Sequence, residues 1–493
     1  MPTPRRHLLL GAGGAALAGL VAAACTEDES TRPIGTDAAR AAPVTGSTLP
    51  PPTGAAPVTT PSPQVLAPLQ LFANPVVNAE TLFAFGGAAV LASEVGEMMR
   101  IAQTVNAATG NPADLSRASL DAYVAGFGEF ADRLDGAAAA TTSRVTRRQR
   151  LQRSSQYTSM QLFFVLGTSQ PDREAALYAA CADRFARAAE LYDPPAEPFS
   201  VRSEFGEIPG YFFRPSTDAG RRPTVIISNG SDGQHIDILV GGLTAALDRG
   251  YNVAIFEGPG QMRLLFEQGK PFTPDWQKVV GPVFDWVKAR NDVGRVGLIG
   301  ISFGGMLCAR AAADVKGLDA VVLEPAAYDA AMLWKDQDSV RSVRSTMAGP
   351  SSGVAAARSS MNAAYQQIVP TLPFETQFEI AKRGEIYDAT NMGDSRAGNP
   401  PSDYFGLIEA MLRFDFTEDY RRIRIPTMLT RNEGDEFFGD QPEQAFELLT
   451  GVPADKKELL VLTAAQGAQL HDQPSGPTVA QEFIFDWLDR FLA

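Results

Sequence analysis

The chain has 493 residues, of which 45% are hydrophobic and 20% charged, and a formal charge of −14. That length calls for more than one domain, and the composition suffices for a large core. The acidic balance excludes a nucleic-acid partner, which demands clustered Lys and Arg. Three cysteines and three histidines, nowhere grouped at ligand spacing, exclude a dedicated metal site. No cofactor is expected.

Residues 1–24 read as an export signal. Arg5 and Arg6 precede an uncharged, Gly/Ala-rich stretch that is short for a membrane span. A twin arginine before a weakly apolar segment is the pattern of Tat export, and the Val21-Ala22-Ala23-Ala24-Cys25 end is that of a bacterial lipobox, with Cys25 as the lipidated residue. Residues 25–64 carry Pro, Thr, Ala and Gly and almost no large apolar side chains, so they are expected to form a disordered tether. The expected location is outside the cell, lipid-anchored at the outer face of the bacterial cytoplasmic membrane.

Residues 65–198 have helical periodicity. Leu120, Tyr123, Val124, Phe127, Phe130 and Leu134 share one face, as do Tyr178, Cys181, Phe185, Ala188 and Tyr192. Cys181 on that stripe is a core residue rather than a reactive thiol. The basic run at 144–153 reads as a solvated helix face. From 199 to 493 the rhythm changes. Two extended runs around Gly206-Glu207-Ile208-Pro209 form a hairpin, with that tetrapeptide as the turn. Short apolar strands at 224–229, 251–257, 295–301, 319–325, 427–432 and 458–463 then alternate with helices at 237–249, about 275–290 and beyond. Such alternation specifies a mostly parallel, doubly wound sheet of the α/β class, with chemistry at the carboxyl ends of its strands. The residues at about 328–420 form an insertion at a strand end, placed to act as a lid. Trp334, Met361, Tyr365 and Phe374 within it are more consistent with core packing than with a pocket lining.

Gly300-Ile301-Ser302-Phe303-Gly304 is a G-x-S-x-G between a strand and a helix, the setting a nucleophile elbow requires. A serine hydroxyl needs a base. His7 lies in the export segment and His235 in the loop after strand 224–229, as a pocket or helix-start residue. His471 follows the last strand, where the order Ser…Asp…His requires it. Asp435, after Gly434, is the preferred acid to orient it, with Glu433 and Glu436 as alternatives. Oxyanion donors are expected from the backbone of Phe303 and of Gly230 or Ser231. The turn at Glu257–Gly260 reads as structural.

The helical segment, then EIPGYFFRPS, ISNGSDG, GYNVAIFEGPGQ, GISFGGMLCAR, NEGDEFF and a final Gly-x-x-x-His together resemble α/β-hydrolases with an N-terminal helical cap. That group includes dihydroxypseudooxynicotine hydrolase, fungal polyketide-shortening hydrolases and fermentation–respiration switch esterases. The resemblance runs from about residue 85 to the end. It implies a triad of Ser302, Asp435 and His471 under a helical cap, and cleavage of esters or of carbon–carbon bonds beside ketones in a small-molecule substrate. Met262 after Gln261 and Asp472 after His471 depart from the usual pattern. A different class, a binding module that kept the fold without catalysis, remains the alternative. The oligomeric state is left open, a homodimer included.

Overall fold

The computed structural model describes residues 69–493. The expected export segment, Cys25, the tether and the first residues of the helical segment lie outside them. No helix among the described residues is long and apolar enough to cross a membrane.

Five α-helices precede the first strand among the described residues: α1 (Pro75–Gly86), α2 (Val95–Thr109), α3 (Arg117–Ala139), α4 (Arg144–Phe164) and α5 (Glu174–Ala189). Ser116 caps α3 through a reciprocal box with Ser119, and the predicted stripe Leu120 to Leu134 is buried against α2 and α4. The basic run is not a solvated face. Arg147 and Arg150 of α4 donate to the carbonyls of Ala137, Ala138 and Thr141, and Arg144 to those of Leu191 and Tyr192. These side chains satisfy carbonyls left open at the end of α3 and just beyond α5, where cations are favoured. Cys181 is buried as expected, and burial pushes its thiol up to about 12.

Eight strands follow in one sheet of order β1-β2-β4-β3-β5-β6-β7-β8. They are β1 (Glu197–Ser203), β2 (Gly206–Phe213), β3 (Arg222–Ser228), β4 (Asn252–Phe256), β5 (Val293–Ile301), β6 (Ala320–Glu324), β7 (Thr427–Asn432) and β8 (Lys457–Leu462). β1 and β2 are antiparallel, and β3 to β8 pair in parallel. Gly206–Pro209 belongs to β2 instead of forming the hairpin turn, since Ser203 pairs with Gly206 and leaves Glu204 and Phe205 as the turn. The helix expected at 237–249 is broken. A 3₁₀ turn at His235–Leu239 and α6 (Leu243–Asp248) flank Gly242, whose φ of +128° no continuous helix accepts.

The crossovers are α7 (Met262–Phe266), α8 (Gln277–Lys288) and α9 (Phe303–Asp314). Between β6 and β7 stand α10 (Gln337–Ala348), α11 (Ser351–Ile368), α12 (Phe374–Tyr387), α13 (Met392–Arg396), α14 (Tyr404–Met411) and α15 (Thr417–Arg422), which form the insertion. α16 (Gln441–Leu448) and α17 (Pro477–Leu492) complete the fold. Ile484, Phe485, Leu488 and Leu492 of α17 are buried in the core layer that includes Ile299 of β5, each contributing about 2 kcal/mol by removal from water.

The insertion is packed on the helical segment. Phe378 of α12 stacks on Phe164 at 5.8 Å, and Lys382 Nζ donates to Phe163 O. Tyr365 stacks on Tyr404 at 4.3 Å, and Trp334 Nε1 donates to the Tyr404 hydroxyl, so these aromatics are core, as expected.

Candidate active site

The strand order reverses between β3 and β5, and the crevice beyond their carboxyl ends is where a doubly wound sheet presents a site. Ser302 stands there with φ +53° and ψ −124°, a conformation that side-chain-bearing residues avoid. The surroundings hold it in place: Ser302 N donates to Glu324 O at 2.7 Å, and Gly305 N donates to Ser302 O at 2.8 Å. A Cβ on Gly304 would lie 2.5 Å from Asn229 O, and one on Gly305 2.3 Å from Pro325 O. Only glycine lets α9 start this close to two neighbouring strands.

Three of the expected residues meet in series. Ser302 Oγ is 3.0 Å from His471 Nε2, and His471 Nδ1 is 2.8 Å from Asp435 Oδ2. The other Asp435 oxygen accepts the N–H groups of Phe437 and Phe438. Burial by itself would raise the Asp435 carboxyl, yet His471 and these donors hold it below the usual range. Glu433 is occupied elsewhere, accepting from Ala464 N. The histidine loop is fastened to the acid loop by Asn432, whose Nδ2 donates to Ala468 O and Leu470 O, and by Gly434 N, which donates to Gln469 O. The Phe437 and Phe438 rings pack on the imidazole at 4.9 and 5.0 Å.

Phe303 N and Ser231 N face no protein acceptor among the described residues, whereas the Gly230 N–H donates to Asn229 Oδ1 at 2.8 Å. Gly230 serves instead by its lack of a side chain: a Cβ there would sit 2.7 Å from Ser302 Cβ. His235 lies apart, buried against Phe185 and Tyr211, and burial drives its imidazole down to about 3, so it stays neutral.

Sequence reasoning overlooked Gln261. Its buried amide donates to Asn229 O at 2.6 Å and Gly230 O at 2.9 Å while accepting from Gly258 N at 3.0 Å. The turn after β4 thereby holds the Gly230 loop at its working distance from Ser302. Gln261→Ala is expected to slow reaction of Ser302 with a serine-directed probe about a hundredfold while leaving the far-ultraviolet circular dichroism unchanged, because small misplacements of donors are that costly. An unchanged rate would show that the loop holds itself.

Residues of the cap, the insertion and the strand ends give the crevice its charge. Asp232 pairs with Lys382 at 2.8 Å and stands 3.7 Å from Arg383, and these cations hold its carboxyl low against the effect of burial. Glu80 of α1 is half-buried, and burial followed by Asp232 raises it to about 8. Glu324, at the end of β6, is raised to about 8 by burial and by Asp472.

The sequence matches the model of a known family, the X-Pro dipeptidyl-peptidase (S15) family, over residues 148–466, more than half of the chain. The chain belongs to the S15 family. The matched span of this S15 chain includes Ser302 and Asp435 and stops short of His471. It is similar to the hydrolase acrC of Aspergillus aculeatus, 26% identical over 59% of this chain and 68% of the relative. It is also similar to the 20-hydroxy-prefusarin hydrolase FUS2 of Gibberella moniliformis, 24% identical over 86% of this chain and 98% of the relative. Among solved structures, 2,6-dihydroxy-pseudo-oxynicotine hydrolase aligns with a TM-score of 0.55 at 18% identity, covering 83% of this chain and 96% of the other. These likenesses bear out the α/β-hydrolase fold and the capped resemblance, and make the S15 chain an enzyme that hydrolyses its substrate.

Proposed function

We propose that this hydrolase works by acyl transfer through Ser302, with His471 as base and Asp435 as the residue that orients it, on an ester or ketone-containing small molecule. The observation that carries the reading is the continuous chain from Ser302 Oγ through His471 to Asp435, set on a strained turn between β5 and α9. In this reading Ser302 Oγ attacks the carbonyl carbon and its proton passes to His471 Nε2. Asp435 keeps the other proton on Nδ1 and stabilises the imidazolium. The Phe303 and Ser231 N–H groups receive the developing oxyanion. The imidazolium then protonates the leaving group, and water releases the acyl group by the same steps in reverse.

A carbon–carbon bond beside a ketone is the second reading. Its leaving carbanion needs a proton, and Glu80, facing His471, retains one at neutral pH. Export and lipid anchorage through Cys25 belong to the same proposal and rest on the sequence alone.

Covalent labelling by a fluorophosphonate probe tests the reading. The chain should label, Ser302→Ala should not, and peptide mapping should place the adduct on Ser302. A folded chain that fails to label would favour a binding module, and a label elsewhere would refute the nucleophile.

A further inference from the structure

His471 has a second acidic neighbour that the triad does not use. Asp472 Oδ1 lies 3.5 Å from His471 Nε2, the nitrogen that also faces Ser302 Oγ at 3.0 Å. Asp472 has a φ of +56°, in the left-handed region that Asp and Asn tolerate better than other side chains. Its Oδ1 is buried and accepts no hydrogen bond among the described residues. Both oxygens of Glu324 are likewise buried and without partners. Leaving such acceptors unmade is costly, so an unsatisfied carboxylate beside a histidine N–H position calls for a reason.

We propose that Asp472 is a second carboxylate partner of His471, competing with Ser302 for Nε2 and so restraining the nucleophile. The inference rests on the acyl-transfer reading for its consequence and on geometry for its substance. When the imidazole carries both protons, Nδ1–H is held by Asp435 and Nε2–H by Asp472, and no lone pair is left to accept the Ser302 proton. Loss of the Nε2 proton to solvent frees that lone pair for Oγ–H.

The groups facing the imidazole are Asp435 from the loop after β7, Asp472 from its own loop, Glu80 from α1 and Ser302 from the elbow, with Phe437 and Phe438 as apolar walls. Burial opposes charge on His471, but Asp472 first and Asp435 next outweigh it and raise the imidazole to about 9. Asp472 is itself raised to about 6, by burial, with Asp435 and Asp232 adding to the rise and His471 opposing it. Between about pH 6 and 9, therefore, the anion and the imidazolium coexist. Glu324, raised to about 8 by burial and by Asp472, keeps its proton over most of that range and leaves the negative charge on Asp472. The protein is thus built as a hydrolase whose serine is freed as pH rises.

Asp472→Asn keeps the shape and tolerates the backbone, while removing the charge. Nuclear magnetic resonance of the full chain reads the imidazole directly, since it has only three histidines and His235 is held down to about 3. The His471→Gln spectrum assigns the signal. The expected result is a His471 midpoint near 9 in wild type that falls by about one pH unit or more in Asp472→Asn, the size of effect a carboxylate at this distance exerts. An unchanged midpoint overturns the pairing. The fluorophosphonate labelling rate, followed against pH, reads the consequence. It should rise with pH through the histidine midpoint, and at pH 7 Asp472→Asn should label about tenfold faster, converging with wild type at high pH. A shifted midpoint with an unaltered labelling profile overturns the restraint on Ser302. A shifted midpoint with no labelling of either protein at any pH leaves the pairing standing and removes the acyl-transfer reading instead.

Discussion

Ser302→Ala and His471→Ala are each expected to lower kcat/KM on a small aryl ester by about 10⁶-fold, and the double substitution by no more than either alone. The reason is the shared hydrogen bond. Without the imidazole, the Ser302 hydroxyl has no acceptor at 3.0 Å for its proton, and without the hydroxyl the imidazole has nothing to activate. A loss of that size is about 8 kcal/mol of transition-state stabilisation, which exceeds what surface or packing changes at one residue produce. Asp435→Asn should cost about 10⁴-fold, because an amide at 2.8 Å from Nδ1 can donate a hydrogen and favour the wrong tautomer. Steady-state rates normalised to folded protein, read by circular dichroism, check all four variants. Additive losses, or a Ser302→Ala protein that keeps its rate, would refute the assigned roles.

Gly304→Ala is expected to destabilise the fold by about 3 kcal/mol and to abolish probe labelling beyond what the lost stability explains. The new Cβ would meet two backbone carbonyls, Asn229 O at 2.5 Å and Ser228 O at 2.6 Å, and neither is the end of a side chain that can swing aside. α9 must then retreat from the end of β3, carrying the Phe303 N–H away from the Ser231 N–H. Gly136→Ala is the control: it lies exposed in α3 with nothing within 4 Å of the added Cβ, so it should be neutral or stabilising by about 0.5–1 kcal/mol. Urea midpoints at constant slope, read beside labelling, separate the two effects. If Gly304→Ala unfolds at the wild-type midpoint, the close approach of α9 to β3 is not rigid.

The strands were legible because their signal is local. β7 runs over Thr427–Asn432 as its β-branched and apolar run predicts, and β5 and β6 differ from expectation by one or two residues. The elbow was legible for the same reason: glycines two residues either side of a serine, between a strand and a helix, mark a turn that admits no side chain. His471 could be singled out because the chain offers so few histidines. The helix expected at 237–249 is broken although apolar periodicity continues through Gly242, because the positive φ there interrupts it. The arginines of α4 look solvated in sequence because the carbonyls they meet lie outside their own segment, at the end of α3 and beyond α5.

By itself, then, the sequence determined the α/β alternation, the elbow at Ser302, and the order of serine, acid and histidine, since each depends on neighbours within a few residues or on count alone. Only the tertiary structure decided that Asp435 and not Glu433 reaches the imidazole, that Gln261 holds the Gly230 loop, and that Asp472 stands 3.5 Å from the imidazole nitrogen that faces the nucleophile. Those outcomes depend on separations of ångströms between residues tens to hundreds of positions apart, set by how β3, β5, β6 and β7 lie side by side and how the helical cap closes over their ends. No local pattern encodes such distances, and an acidic side chain in a loop reads the same in sequence whether it meets water or a histidine.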